Sequence, residues 1–199
     1  MDYKTIGGRS ALLLAAGMLC GSPLAWAIDR GEMLANTCVG CHGPGGNSVG
    51  PASPNIAGLQ KDTLVEGMKA FSSGDRPSTI MGRIAKGYTD EELAAMGGYF
   101  AKQKPALPKQ DHDAALAKKG VKLHEEYCDK CHEDGGKKDE DGSGILAGQW
   151  KPYMDWQLAD FNNDKRDMSK KMRKRMQAMV KEHGKEALDA ISNYYASQK

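Results

Sequence analysis

The pattern Cys-x-x-Cys-His occurs twice in this 199-residue chain, as Cys38-Val39-Gly40-Cys41-His42 and as Cys128-Asp129-Lys130-Cys131-His132. Cysteines three positions apart put both thiols on one side of a helical turn, and the histidine that follows offers an imidazole from the same turn. Such a set bonds through two thioethers to the vinyl groups of a haem and ligates its iron. A lone Cys-x-x-Cys would equally suit a redox dithiol or half of a zinc site. A four-cysteine, two-histidine zinc protein fits poorly, because zinc pairs usually close within about 15–20 residues. Here the two motifs lie 90 residues apart. The chain is expected to carry two covalently bound haems c, on Cys38, Cys41, Cys128 and Cys131, with His42 and His132 as proximal iron ligands.

The fifth cysteine, Cys20, lies in a stretch with the marks of an export signal. Lys4 and Arg9 form a weakly basic start, and the apolar run from Ala11 to Leu19 is too short to span a bilayer. Ala25-Trp26-Ala27 then supplies a small-x-small cleavage pattern. Residues 1–27 read as a signal peptide and the periplasm as the destination; Leu19 is a poor residue to precede a lipidated cysteine. The other four cysteines are consumed by the two motifs, leaving no disulfide, which suits haem attachment in an oxidising compartment. No other segment is apolar enough to cross a membrane. Without Lys4, Arg9 and Asp2 the chain has 26 Lys and Arg against 25 Asp and Glu, a balance that argues against a nucleic-acid binder. Three phenylalanines are a thin supply for two small cores, a deficit that the apolar face of a haem in each would offset.

The chain is written twice. An offset of 90 pairs the two haem motifs, Ala57-Gly58 with Ala147-Gly148, Phe71 with Phe161 and Arg76 with Arg166. A shift of one pairs Gly31 with Gly120, and near the ends an offset of 95 pairs Tyr99-Phe100 with Tyr194-Tyr195. Two units are too few for a solenoid, so two fused domains are expected, over 28–104 and 112–199. Between them residues 105–111 contain Pro105 and Pro108 and no periodicity, which marks a linker. Thr89-Asp90-Glu91-Glu92 is a capping box ahead of Leu93, Met96, Tyr99 and Phe100. Helical spacing also marks Asp62–Phe71, Pro152–Phe161, Lys185–Ser197 and a segment carrying Ala114, Leu116, Ala117, Val121 and Leu123. The glycine-rich stretches 43–50 and 134–148 read as loops, and no strand alternation is evident.

A proximal histidine needs its second ring nitrogen held by an acceptor. The segment Gly50–Pro54 is placed to present a carbonyl in the first unit; the second has Asp141-Gly142-Ser143-Gly144, without proline, and a looser arrangement is expected there. Distal ligands should follow the middle helix of each unit. Met81 lies between Pro77 and Gly82, off the helical faces that claim Met68 and Met96. In the second unit Met172 aligns with Met81 after a one-residue insertion, with Met168 as runner-up and Met176 and Met179 further on. His/Met ligation raises the potential and suits one-electron transfer. His112, His124 and His183 fall at no ligand position. The run from Lys165 to Arg175 holds seven basic residues in eleven, which is either a solvated helix face or a patch for docking an acidic partner or compensating haem propionates. Acidic residues Glu125, Glu126, Asp129, Glu133, Asp134 and Asp139–Asp141 cluster near the second motif, so a polarised surface rather than a uniformly basic one is expected.

The segments Asn47–Gly58, Ser78–Tyr88, Ile145–Tyr153 and the basic, methionine-containing stretch resemble the duplicated two-haem cytochromes c of bacterial periplasms. More closely, they resemble the cytochrome subunit of flavocytochrome c sulfide dehydrogenases. The resemblance implies an all-α fold of two tandem class I cytochrome c-type domains, with Met81 and Met172 as distal ligands. It implies an FAD-containing flavoprotein subunit that oxidises sulfide and passes electrons to this chain, which hands them to a small soluble cytochrome c. No catalytic residue is assigned to this chain in that scheme. The alternative is a free-standing periplasmic two-haem carrier donating to a terminal oxidase. Free carriers tend to keep an Asn-Asp-Pro segment before the second methionine and a Gly-Asn-Ser loop after the second motif. Here Asn163-Asp164-Lys165-Arg166-Asp167 and Gly135-Gly136-Lys137-Lys138-Asp139 stand in their place, which points to the subunit.

Overall fold

In the computed structural model, residues 29–140 and 142–199 are described; the signal-peptide reading and Asp141 lie outside them. Every regular element among the described residues is helical. The first half contains α1 (Arg30–Ala35), α2 (Val39–His42), α3 (Lys61–Ser73), α4 (Met81–Ile84) and α5 (Asp90–Phe100). The second contains α6 (Ala114–Leu123), α7 (Glu133–Gly136), α8 (Lys151–Asn162), α9 (Lys170–His183) and α10 (Glu186–Ser197).

Local chemistry sets the helix starts. The capping box forms: Thr89 accepts from the Glu92 amide while the Glu92 carboxylate accepts from the Thr89 amide at 2.9 Å. Asp113 caps α6 by accepting from the amides of Ala115 and Leu116. Ser169 caps α9 by accepting from the Met172 amide.

In each half the first helix packs across the last, α1 on α5 and α6 on α10. A glycine sits at each crossing. A Cβ on Gly31 would lie 2.5 Å from the Ala95 carbonyl oxygen, and one on Gly120 would lie 2.3 Å from that of Ala190. Because Gly120 takes the seam of α6, Val121 turns outward and is exposed, against its expected place on the apolar face; Ala117 and Leu123 are buried beside Gly120. One core gathers Ala35, Leu64, Leu93, Met96 and Phe100, and the other gathers Leu123, Met154, Leu158, Met179, Ile191, Tyr194 and Tyr195.

The loops repeat bond for bond. The Gly46 carbonyl accepts from the amides of Ile56 and Ala57, and the Gly136 carbonyl accepts from those of Leu146 and Ala147. The Gly58 amide donates to Phe100, and the Gly148 amide to Tyr195. Gly46 and Gly136 both have left-handed backbones, φ 84° and 82°, and a side chain on either would strike the last helix of its half, at Phe100 or Tyr195.

The halves meet along a polar seam. The Asn55 amide donates to Gln149 Oε1, and Gln149 Nε2 donates back to the Asn55 carbonyl. Asp139, expected on an acidic surface, is instead buried in this seam: its Oδ2 accepts from the Gln60 amide at 2.8 Å and its Oδ1 from the Gly144 amide. The connecting segment lies against the second half, with Gln110 donating to the Gln149 carbonyl and accepting from the Lys151 amide.

Candidate haem sites

Cys38 closes a 3-10 turn and Cys41 and His42 follow in α2, so one continuous turn carries all three groups. In the second half α6 continues through a π-helical turn, His124–Cys128. The amides of Cys131 and His132 both donate to the Cys128 carbonyl, at 3.1 and 3.0 Å. None of these four cysteines is disulfide-bonded. Burial pushes the Cys38 thiol up and the Cys128 thiol up to about 11. These are not the acid-shifted thiolates of a redox dithiol.

His42 is buried, and its Nδ1 donates to the Pro54 carbonyl at 2.9 Å. A carbonyl can only accept, so the proton sits on Nδ1 and Nε2 keeps its lone pair for a metal. Burial lowers the basicity of the ring, against the pull of that carbonyl. His132 is different. Its Nδ1 is buried with no hydrogen-bond partner among the described residues. Burial, then the nearby His124, push the ring down to about 4, against the pull of Asp139. Both imidazoles are thus held neutral, as a metal ligand must be. The thiol pairs and the two neutral imidazoles fit a covalently held haem in each half.

Met81 opens α4 and Met172 sits in the first turn of α9, both half-buried. Each lies three residues after a serine that caps a backbone amide: Ser78 accepts from Gly82 at 2.8 Å, and Ser169 from Met172 at 3.2 Å. Met168 lies outside α9, whereas Met176 and Met179 are buried on its inner face.

The basic run divides. Arg173 pairs with Asp164 and Asp167, and Arg175 donates to the Glu126 carbonyl. Arg166 turns inward to stack on Phe161. Lys165, Lys170, Lys171 and Lys174 are exposed. His124, which sequence reasoning left without a role, is buried between Tyr195 and Asp129: its Nδ1 lies 3.0 Å from the Tyr195 hydroxyl and its Nε2 3.2 Å from Asp129. A histidine at an apolar helical position was the available signal.

A family model for cytochrome c matches residues 28–114, and one for the cbb3-type cytochrome c oxidase subunit III matches residues 115–194. Over 193 residues the chain is 30% identical to cytochrome c4 of Pseudomonas aeruginosa, covering 92% of this chain and 94% of that one. The chain belongs to the duplicated two-haem cytochromes c of the cytochrome c4 type. Reduced cytochrome c4 from Pseudomonas stutzeri has the same fold, with a TM-score of 0.74 and 26% identity over 85% of this chain and 97% of that structure. The cytochrome subunit of sulfide dehydrogenase from Chlorobaculum tepidum is 42% identical over 84 residues, which is 42% of this chain and 72% of that protein. As a member of the c4-type family the chain binds two haems c and works in electron transfer rather than as a catalyst. Its architecture is two tandem class I cytochrome c-type folds, all-α, as expected. Among the described residues no helix is long and apolar enough to cross a membrane.

Proposed function

We propose that this chain is a periplasmic two-haem electron carrier that takes electrons from a dehydrogenase and delivers them to a terminal oxidase. The observation that carries this reading is the match along nearly the whole chain to cytochrome c4. It favours the free-standing carrier over the subunit reading that the sequence resemblance put first. The haems supply reversible one-electron iron chemistry when bound. Cys38 and Cys41, then Cys128 and Cys131, would anchor them, and His42 with Met81 and His132 with Met172 would hold the two irons. The serine-capped placement of both methionines supports this pairing. Pro54 fixes the tautomer of His42 and, through it, the direction of the ligand lone pair. The exposed lysines of α9 form a docking face for an acidic acceptor.

A second reading has its own support. The 42% identity to a sulfide dehydrogenase subunit favours an FAD-containing partner that donates electrons from sulfide, with a small soluble cytochrome c as acceptor. Gentle isolation from native extract, with absorbance followed at flavin and haem wavelengths, separates the two. A carrier elutes alone at its own mass. Co-elution at a fixed ratio with a larger flavoprotein would replace the carrier reading with the subunit one.

A further inference from the structure

The carbonyl that holds His42 and the amide that meets the second domain belong to one peptide group. Pro54 supplies the oxygen that accepts from His42 Nδ1 at 2.9 Å, and Asn55 supplies the N–H of the same linkage, which donates to Gln149 Oε1 at 2.9 Å. Among the described residues no peptide bond is cis, so this one points its C=O and its N–H in opposite directions. It bridges the candidate iron ligand of the first domain and a side chain of the second.

Gln149 is fixed from several sides. It is only 6% exposed; its Oε1 also accepts from the Trp150 amide at 3.1 Å, while its Nε2 donates to the Asn55 carbonyl at 3.0 Å. Two N–H groups facing one end of the side-chain amide and a carbonyl facing the other decide which end is oxygen. Gln110 donates to the Gln149 carbonyl and so holds its backbone. Asn55 is held from its own side, since its Oδ1 accepts from the Ser48 amide at 2.8 Å. The corresponding peptide of the second domain, Gly144–Ile145, has a different role. His132 Nδ1 finds no partner among the described residues, and the Gly144 amide donates to Asp139 within its own domain.

Hydrogen bonds in series polarise one another, by about 10–30% per bond. An acceptor at the Asn55 N–H shifts electron density along the amide toward its oxygen, so Pro54 pulls harder on the His42 proton. The ring gains imidazolate character and becomes a stronger donor to iron, which favours the ferric state.

We propose that Gln149 of the second domain is a positioning residue for the first haem: by accepting from Asn55 it polarises the Pro54–Asn55 peptide that holds His42, and so the docking of the second domain lowers the potential of the first haem. The proposal rests on His42 as the proximal ligand and holds for a carrier and for a subunit alike.

The experiment uses the holoprotein with three variants. Gln149→Leu removes the acceptor, and Gln149→Glu keeps an oxygen there with more negative charge. Trp150→Phe removes a different bond across the seam, from the indole to the Ser48 carbonyl. Midpoint potentials of both haems are measured, and the His42 ring of the ferrous protein is followed by nitrogen-resolved NMR. In the unaltered protein its ring carbon protons should stand far upfield under the haem ring current. Ordinary shifts would overturn the ligand reading and the proposal with it. In Gln149→Leu the first potential should rise, the second should stay, and the Nδ1 proton should move upfield as its hydrogen bond weakens. A seam that is merely loosened admits water, which favours the charged ferric haem and moves the first potential the other way. Gln149→Glu should lower the first potential and move the Nδ1 proton downfield, and Trp150→Phe should change neither. With the ring current seen, an unchanged or lowered first potential in Gln149→Leu, an Nδ1 proton that responds to neither Gln149 variant, or an equal response to Trp150→Phe would overturn the proposal alone.

Discussion

The two haem domains share a backbone plan and differ in how His42 and His132, the proposed proximal ligands, are supported. In the first, His42 Nδ1 is held by the Pro54 carbonyl and the surrounding helices meet through Ala35 and Phe100. In the second, His132 Nδ1 has no partner among the described residues, and the positions of Ala35 and Phe100 are taken by His124 and Tyr195, which hydrogen-bond each other in the core. A duplicated fold therefore keeps its glycine crossings and loop bonds, where geometry leaves no choice. It diverges around the proposed iron ligand, where neighbouring groups would set electronic properties rather than shape.

The comparison can be broken most severely at the attachment motifs. Replacing Cys128 and Cys131 by alanine should halve the haem retained after acid-acetone extraction, from two equivalents to one, while the first domain keeps its spectrum. Loss of both haems would mean that the domains do not load independently. Next in size is the distal ligand. Met172→Ala should remove one of two thioether-to-iron charge-transfer contributions in the far red and lower the potential of the second haem, and Met168→Ala should leave both in place. The opposite result would move the ligand outside α9.

The unequal support of the two proximal histidines gives a directional expectation. A hydrogen bond to Nδ1 makes the imidazole a stronger donor, which favours ferric iron, and the exposed lysines of α9 disfavour ferric iron in the second domain. The first haem should titrate at the lower potential, so that electrons run from the first domain to the second. Redox titration of single-haem variants measures the order, and equal or reversed midpoints would contradict it.

The glycine crossings sharpen what the domains share. Gly31→Ala and Gly120→Ala should each destabilise their own domain by about 1–3 kcal/mol through overpacking against a backbone carbonyl, read as a lowered denaturant midpoint. A cost in one domain only would mean that the two crossings are not equivalent. The smallest effect concerns acid. Burial holds His124 below the ordinary histidine value of 6.5, despite Asp129. The folded second domain then binds this proton less readily than its unfolded chain does. Its stability is complete above pH ~6.5 and falls as the pH drops through that value. Ala35, buried at the corresponding place of the first domain, carries no titrating group, and His124→Leu should remove this contribution from the second. Thermal midpoints of the two domains from neutral to mildly acid pH provide the check.

Much of the site was legible because its chemistry is local. Cys-x-x-Cys-His fits within one helical turn, so spacing alone picks out the proposed attachment groups. The capping box at Thr89 and the paired glycines at 31 and 120 are likewise written in short stretches. Val121 was misjudged because its apolar character fits a helix face that Gly120 in fact occupies, and only the partner helix decides which of two adjacent residues faces in. Asp139 was misjudged because an acidic run looks like surface until Gln60 of the other domain is brought against it.

By itself, then, the sequence determined the cofactor, its number, the duplication and the helical elements, since each depends on residues that are near neighbours along the chain or repeat at a constant offset. The tertiary structure alone decided which acceptor holds His42, that His132 finds none among the described residues, where His124 points, and that Arg76 and Arg166 meet over Gln157. Those facts depend on groups up to about a hundred positions apart, as with Ser48, whose carbonyl accepts from the Trp150 indole. Hydrogen bonds and charge repulsion act over a few ångströms of space, and a sequence records distance along the chain, not through space.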